Sequence, residues 1–193
     1  MNKLLLALLL VVSVSAFADE STSVTGTFDV KDKQHSPSNH EVFGLNVGHD
    51  FGNTWSVEGR VEDERVVGNG GSHEGLAQIK VDKTLGTYFG VTPYAGVAIG
   101  EKSKSTSNFA YYVAEVGAKA NLTEQVSVGV QERLRTPFNE NFDGHTGYGY
   151  KTWETSVTAK YAINKSNIVG VKYAVERGDS TYNTTGVTYT YKF

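Results

Sequence analysis

The chain contains no cysteine and only 3 prolines in 193 residues. Without cysteine there is no disulfide framework and no thiolate chemistry, so the redox state of its compartment has no bearing on its fold. Beyond the first 18 residues there is no long apolar run, which leaves no transmembrane helix in the remainder. No charge of one sign dominates: 18 Lys and Arg stand against 21 Asp and Glu, a formal net charge of −3. That balance argues against nucleic acid as a partner. No tandem repeat and no low-complexity tail is visible, and the length suits one domain. What is abundant is 21 glycines, 11 tyrosines and 9 phenylalanines, a mixture that suits β-structure better than helix.

The first residues form a separate unit. Lys3 supplies a positive charge, residues 4–14 an apolar core, and Ala16-Phe17-Ala18 the small residues of a cleavage site. This is the pattern of a secretory signal peptide, too short for a comfortable membrane span of roughly 20 residues. Cleavage after Ala18 is expected, leaving 19–193 as the mature domain.

That domain alternates with period two, segment after segment. Val24, Gly26, Phe28 and Val30 share one face; Thr25, Thr27, Asp29 and Lys31 share the other. Val57 and Val61 oppose Glu58, Arg60, Glu62 and Glu64. Val126, Val128 and Val130 oppose Gln131, Arg133 and Arg135. Ten such segments are expected, with eight or twelve as alternatives, each apolar on one face and polar on the other. Phe89 is placed with Val91 on the fifth. Pro93 removes a ladder donor and is expected at a rim or a bulge.

The connections alternate in length. Tight turns are expected near Gly52-Asn53, Lys83-Thr84, Thr123-Glu124 and Lys165-Ser166. Longer polar loops are expected over 33–41, 68–74, 102–108, 136–150 and 178–183. Short turns at one end and long loops at the other are the pattern of a closed barrel that crosses a bacterial outer membrane. Closure follows because lipid leaves no backbone group a partner outside the sheet. Phe51, Trp55, Tyr161 and Phe193 fall near the short turns, where an aromatic girdle belongs.

The chain ends Tyr189-Thr-Tyr191-Lys-Phe193. This resembles the terminal strand of outer-membrane barrels, which ends in phenylalanine with aromatics at alternate upstream positions. The resemblance implies that Tyr189, Tyr191 and Phe193 are read by the barrel-assembly machinery. It also implies contact with outer-membrane lipids and lipopolysaccharide, and a monomer in a Gram-negative outer membrane.

The polar face holds acids and bases in balance. Unpaired charges in a narrow barrel are costly, so they pair or are hydrated. Paired, they make a non-conducting structural barrel. Hydrated and segregated, they line a pore for small hydrophilic solutes. The candidate pore-lining residues are Glu58, Arg60, Glu62 and Glu64 on an acidic strand, and Arg133 and Arg135 on a basic one. The second reading is a surface-interaction barrel that recognises lipopolysaccharide, phage or another cell through the 136–150 loop.

One hairpin carries a further resemblance. Asn121-Leu-Thr-Glu-Gln125 followed by Val126-Ser-Val-Gly-Val-Gln-Glu-Arg133-Leu-Arg135 is similar to hairpins of the oligogalacturonate-specific porins. These are monomeric twelve-stranded barrels that pass acidic oligosaccharides along rows of basic residues. The resemblance implies that Arg133 and Arg135, with Lys119 and Lys160, face a sugar acid. Two departures stand out: this chain has two strands fewer, and its acids offset its bases.

Catalysis finds little support. His35, His40, His73 and His145 fall in expected loops, and His49 lies on the apolar face near a turn. Asp143 beside His145 is the best candidate for a base, but no nucleophile stands near it in a pattern that would activate one. No histidines have metal-site spacing, and no cofactor is implied. The expectation is a binding or transport protein and not an enzyme.

Overall fold

The computed structural model describes residues 21–34, 39–52, 54–67, 71–103, 108–138, 151–178 and 180–193. Ten strands follow in chain order: β1 (Thr22–Lys33), β2 (Asn39–Asp50), β3 (Trp55–Val67), β4 (His73–Thr84), β5 (Val91–Ser103), β6 (Asn108–Asn121), β7 (Val126–Pro137), β8 (Thr152–Ala162), β9 (Asn167–Arg177) and β10 (Thr181–Lys192). Each pairs antiparallel with its sequence neighbours, and β1 pairs with β10, so the sheet closes as a barrel. The count of ten stands; eight and twelve are set aside. The seam is in full register from Ser23↔Lys192 to Lys33↔Tyr182, so closure leaves no edge to attract another strand.

Period two sets the wall's two faces. The outer one is apolar and the inner one charged, the reverse of a soluble protein. Val97 and Val116 are 64% and 57% exposed, whereas Glu64 and Glu115 are 8% and 5% exposed. A slip of one residue in any strand would turn its charges outward, so the pattern itself fixes the register.

The turns at one end are tight. Thr123 Oγ1 accepts from the Gln125 and Val126 amides at 3.2 and 2.9 Å, and Asn164 Oδ1 accepts from Ser166 and Asn167 at 2.9 and 2.8 Å. Such side-chain acceptors are why Thr and Asn suit tight turns. Phe51, Trp55, Tyr161 and Phe193 gather at this end. The β4–β5 turn departs from the expected Lys83-Thr84. β4 runs through Thr84, and the reversal occupies 85–90, with Gly86, Phe89 and Gly90 at φ of 95°, 52° and 81°. Phe89 is therefore in the turn, not on β5. Its apolar side chain in phase with Val91 imitates a strand, but two left-handed glycines bracket it. Pro93 sits three residues into β5, at the rim, where its carbonyl accepts the Leu85 amide at 2.9 Å.

The loop end is shorter than expected. β10 begins at Thr181, so residues 181–183 of the expected 178–183 loop belong to the strand, and the Gly178 amide donates to the Ser180 carbonyl at 3.1 Å. Lys102 belongs to β5 and His40 to β2, not to loops. Strand ends rich in charge read like loops because the charges serve the lumen. The expected signal peptide, His35 and the Asp143–His145 pair lie outside the described residues.

Inside, β4, β5 and β6 contribute an apolar cluster of Leu76, Ala98, Phe109, Tyr111 and Val113. Two glycines make room for tyrosine rings across the strand. Tyr94 is the register partner of Gly117, and Tyr111 of Gly100. A Cβ on either glycine would fall 2.5 Å from the facing hydroxyl.

Candidate functional site

The lumen holds three charged layers above a cavity. Nearest the loop end, a belt of ion pairs rings the inner wall. Glu74 meets Lys102 at 2.7 Å, and Lys102 meets Glu64 at 3.3 Å. Lys31 then bridges Glu64 at 3.4 Å and Glu176 at 3.9 Å, and Arg135 closes on Glu176 at 3.3 Å. His40 Nδ1 adds a third cationic partner on Glu64 at 2.7 Å when protonated. The belt draws on β4, β5, β3, β1, β9 and β7, which from β5 onward follow one another round the barrel with each link passing over one strand, so it rings the inner wall of the lumen.

In the middle layer Arg60 contacts Glu62. Arg133 Nη2 donates to Gln78 Oε1 at 2.6 Å, and Tyr111 Oη donates to the same oxygen at 3.3 Å. The Arg135 guanidinium lies 5.6 Å from the Tyr111 ring centroid. Lys172 reaches Asp29 at 3.6 Å and Glu154 at 3.7 Å. Below this, Lys80 holds Asp82, Glu115 and Glu58 at 2.9, 3.2 and 3.7 Å, and Gln131 donates to Glu115 at 2.8 Å. Buried charge is tolerable only when it is paired in this way.

Toward the turn end the lumen opens. A cavity of about 470 Å³ is lined by Asp50, Glu58, Asp82, Lys119, Lys160 and Lys192 among others. A smaller space of about 180 Å³ lies deeper, next to Asp29, Arg60 and Arg133. Thr25, Glu58, Lys80, Thr158 and Lys160 line both, so the two adjoin.

All eight candidate lining residues thus come from the inner face, but at different depths. Arg135 and Glu64 are in the belt, Arg60, Glu62 and Arg133 in the middle, and Glu58, Lys119 and Lys160 by the cavity. The four bases grouped in the sequence do not form one row. Sequence reasoning missed Lys31, Gln78, Lys80, Lys102 and Glu176 as members of the site. Alternation placed most of them inside; nothing local marked which would converge. At the other seam, Phe193 donates its amide to the Thr22 carbonyl at 2.9 Å, and its ring meets Tyr191 edge-on at 5.0 Å between centroids. Tyr189 Oη donates to Asn167 Oδ1 at 2.5 Å.

Two other histidines among the described residues have polar partners away from these layers. His73 lies 3.4 Å from Asp63, whose other oxygen accepts from Arg65 at 3.1 Å. That cluster is exposed, and neither cavity includes it. His49 accepts or donates a hydrogen bond with Thr22 Oγ1 at 3.0 Å. Among the described residues no three His, Asp or Glu side chains converge as a metal site.

A closed antiparallel barrel, apolar outside and charged within, defines a transmembrane barrel of the bacterial outer-membrane class. Residues 4–160 match the model of the outer membrane protein β-barrel domain, and the chain belongs to that family. It is an outer-membrane barrel, a class whose short turns lie on the periplasmic side and whose longer loops lie outside. Among solved structures, the KdgM porin in complex with disordered oligogalacturonate is 14% identical with a TM-score of 0.53, over 89% of this chain and 99% of that one. An outer-membrane channel from Pseudomonas putida F1 is 10% identical with a TM-score of 0.56, over 90% and 95%. The translocator domain of the autotransporter NalP from Neisseria meningitidis is 9% identical with a TM-score of 0.51, over 100% and 94%. These likenesses are of fold. No curated protein matches the sequence.

Proposed function

We propose that the protein is a narrow porin-like channel for ions and small hydrophilic solutes, a transporter and not a catalyst. It is exported by a signal peptide cleaved after Ala18, assembled by the barrel-assembly machinery and monomeric among outer-membrane lipids and lipopolysaccharide. The observation that carries this reading is the pair of adjoining polar cavities, open toward the periplasm and sharing Glu58, Lys80 and Lys160. A hydrated path lined by both signs of charge offers weak sites between which a solute can hop. Porin and channel neighbours support the class.

The solute range extends to acidic oligosaccharides. Arg133 and Arg135 are inward, and a guanidinium grips a carboxylate with two parallel hydrogen bonds. Passage would exchange partners: the sugar carboxylate takes the place of Glu176 on Arg135, and Lys31 retains Glu176. The KdgM complex is the precedent in this fold. Single-channel recording of the purified protein in a planar bilayer tests the reading, with and without galacturonate oligomers. Discrete conductance steps, shortened by the oligomers, are expected; a silent barrel overturns it.

A second reading rests on the belt. Its ion pairs narrow the lumen from most of its circumference and would block it if they never part, leaving a non-conducting surface-interaction barrel. Shortening the 136–150 loop would then abolish recognition of cells, phage or lipopolysaccharide. In the channel reading the same change leaves conductance intact.

A further inference from the structure

The periplasmic cavity has two electrically opposite walls. Lys119, Lys160 and Lys192 come from β6, β8 and β10, one continuous arc of the barrel. Asp50, Glu58 and Asp82 come from β2, β3 and β4, the arc opposite. On the acidic arc the carboxylates of Glu58 and Asp82 share a single cation, Lys80, which also serves Glu115. On the basic arc none of the three lysines has a carboxylate within 4.0 Å among the described residues; Lys119 instead lies 4.9 Å from the Tyr94 ring centroid. Glu124, in the β6–β7 turn, also lines this cavity, but it is exposed and forms no ion pair with them among the described residues.

Higher in the lumen Lys31, Lys102, Arg60, Arg135 and Lys172 have each closed on a carboxylate. Here a space of about 470 Å³ holds opposite charges apart. A lone anion placed there would satisfy the lysines and leave the carboxylate wall with Lys80 as its one shared cation. A lone cation would do the opposite. A molecule carrying both charges a few ångströms apart satisfies both walls at once, and charge-assisted hydrogen bonds are the stronger kind.

We infer that this vestibule is a binding site for small zwitterions of the amino-acid and short-peptide class, entered from the periplasm. The carboxylate of the ligand faces Lys119, Lys160 and Lys192, and its ammonium faces Asp50, Glu58 and Asp82. The inference deepens the channel reading by naming the solute that the periplasmic mouth selects, but binding itself does not require conduction.

Three probes of nearly equal size separate the possibilities: dialanine, N-acetyl-dialanine with only the anion, and dialanine amide with only the cation. Binding to the full barrel in detergent micelles is read by NMR titration. Dialanine should bind roughly tenfold tighter than either relative, the ratio one lost charge-assisted contact gives. Lys119→Gln with Lys160→Gln should cost dialanine and the acetylated form their affinity and leave the amide unchanged. Heat-modifiable gel mobility confirms that the variant barrel is folded, and Asp50→Asn, at the exposed rim, provides a second variant that should weaken dialanine and the amide alone. Equal or tighter binding of N-acetyl-dialanine makes this a plain anion site and overturns the inference, as does no binding of any probe. A barrel that conducts but treats the three alike defeats this inference and spares the channel; a silent barrel that prefers dialanine does the reverse.

Discussion

The Tyr111 ring ends over Gly100, its register partner on the neighbouring strand, so closely that a Cβ on the glycine would lie 2.5 Å from the hydroxyl and 2.6 Å from the Ala77 carbonyl. Tyr111 is fully buried and aims that hydroxyl at Gln78, which also takes Arg133. The glycine is what lets the ring lie down inside the wall. Gly100→Ala should therefore destabilise the barrel by about 1–3 kcal/mol through overpacking. Tyr111→Phe keeps the ring and loses only a hydrogen bond, so about 1 kcal/mol is expected. Urea unfolding in micelles measures both; a larger loss for the phenylalanine variant would refute the ordering.

Glu64 is the crossing point of the belt, with Lys31, Lys102 and His40 all upon it. Glu64→Gln leaves Lys102 with Glu74 and Lys31 with only the more distant Glu176 in a buried site, which should cost about 1–3 kcal/mol. It should also shift reversal potentials under a salt gradient toward anions, because the belt then carries excess positive charge. Unchanged selectivity beside lowered stability would mean that the belt lies off the conducting path.

Arg133→Ala with Arg135→Ala removes one end of the belt and one partner of Gln78. The expected result is a larger single-channel conductance and a move toward cation preference, with the barrel still folded but less stable. If these arginines only brace the wall, conductance stays as it was and only the unfolding midpoint falls.

Deleting Phe193 takes away one backbone hydrogen bond, to Thr22, and one edge-on ring contact. That is little for a barrel with a fully registered seam, so refolding of the purified variant into detergent should be near normal. Assembly in cells should fail, since the loss is to a recognition signal more than to stability. Equal defects in both assays would show that Phe193 serves the fold alone.

The ten strands were legible because water lies inside and lipid outside, and that contrast forces alternation on every strand. Where the sequence misleads, apolar phase or charge is the cause. Phe89 keeps the phase of Val91 but sits in a turn between left-handed glycines. Lys102 and His40 look like loop residues because they are polar near strand ends, yet both reach Glu64. The partners themselves were not readable. Glu64 and Lys102 are on strands that are not neighbours, and their meeting depends on register and on depth, neither of which leaves a local mark. Gln78 is the clearest omission: it is neutral, so a search for charges passes over it, although it joins Arg133 to Tyr111.

The order in which the belt's members are synthesised has a consequence for how the barrel is completed. Lys31, His40, Glu64, Glu74 and Lys102 all lie in the first five strands and neutralise one another without help from the rest. Arg135 and Glu176 form their own pair in the second half. Within the belt the link between the halves is Lys31 to Glu176, at 3.9 Å; deeper in the lumen Lys172 to Asp29 and Lys80 to Glu115 join them as well. At the level of the belt, therefore, a sheet that has not yet curled round already has its charges met within each half, and these pairs need not wait for the last strand to meet the first.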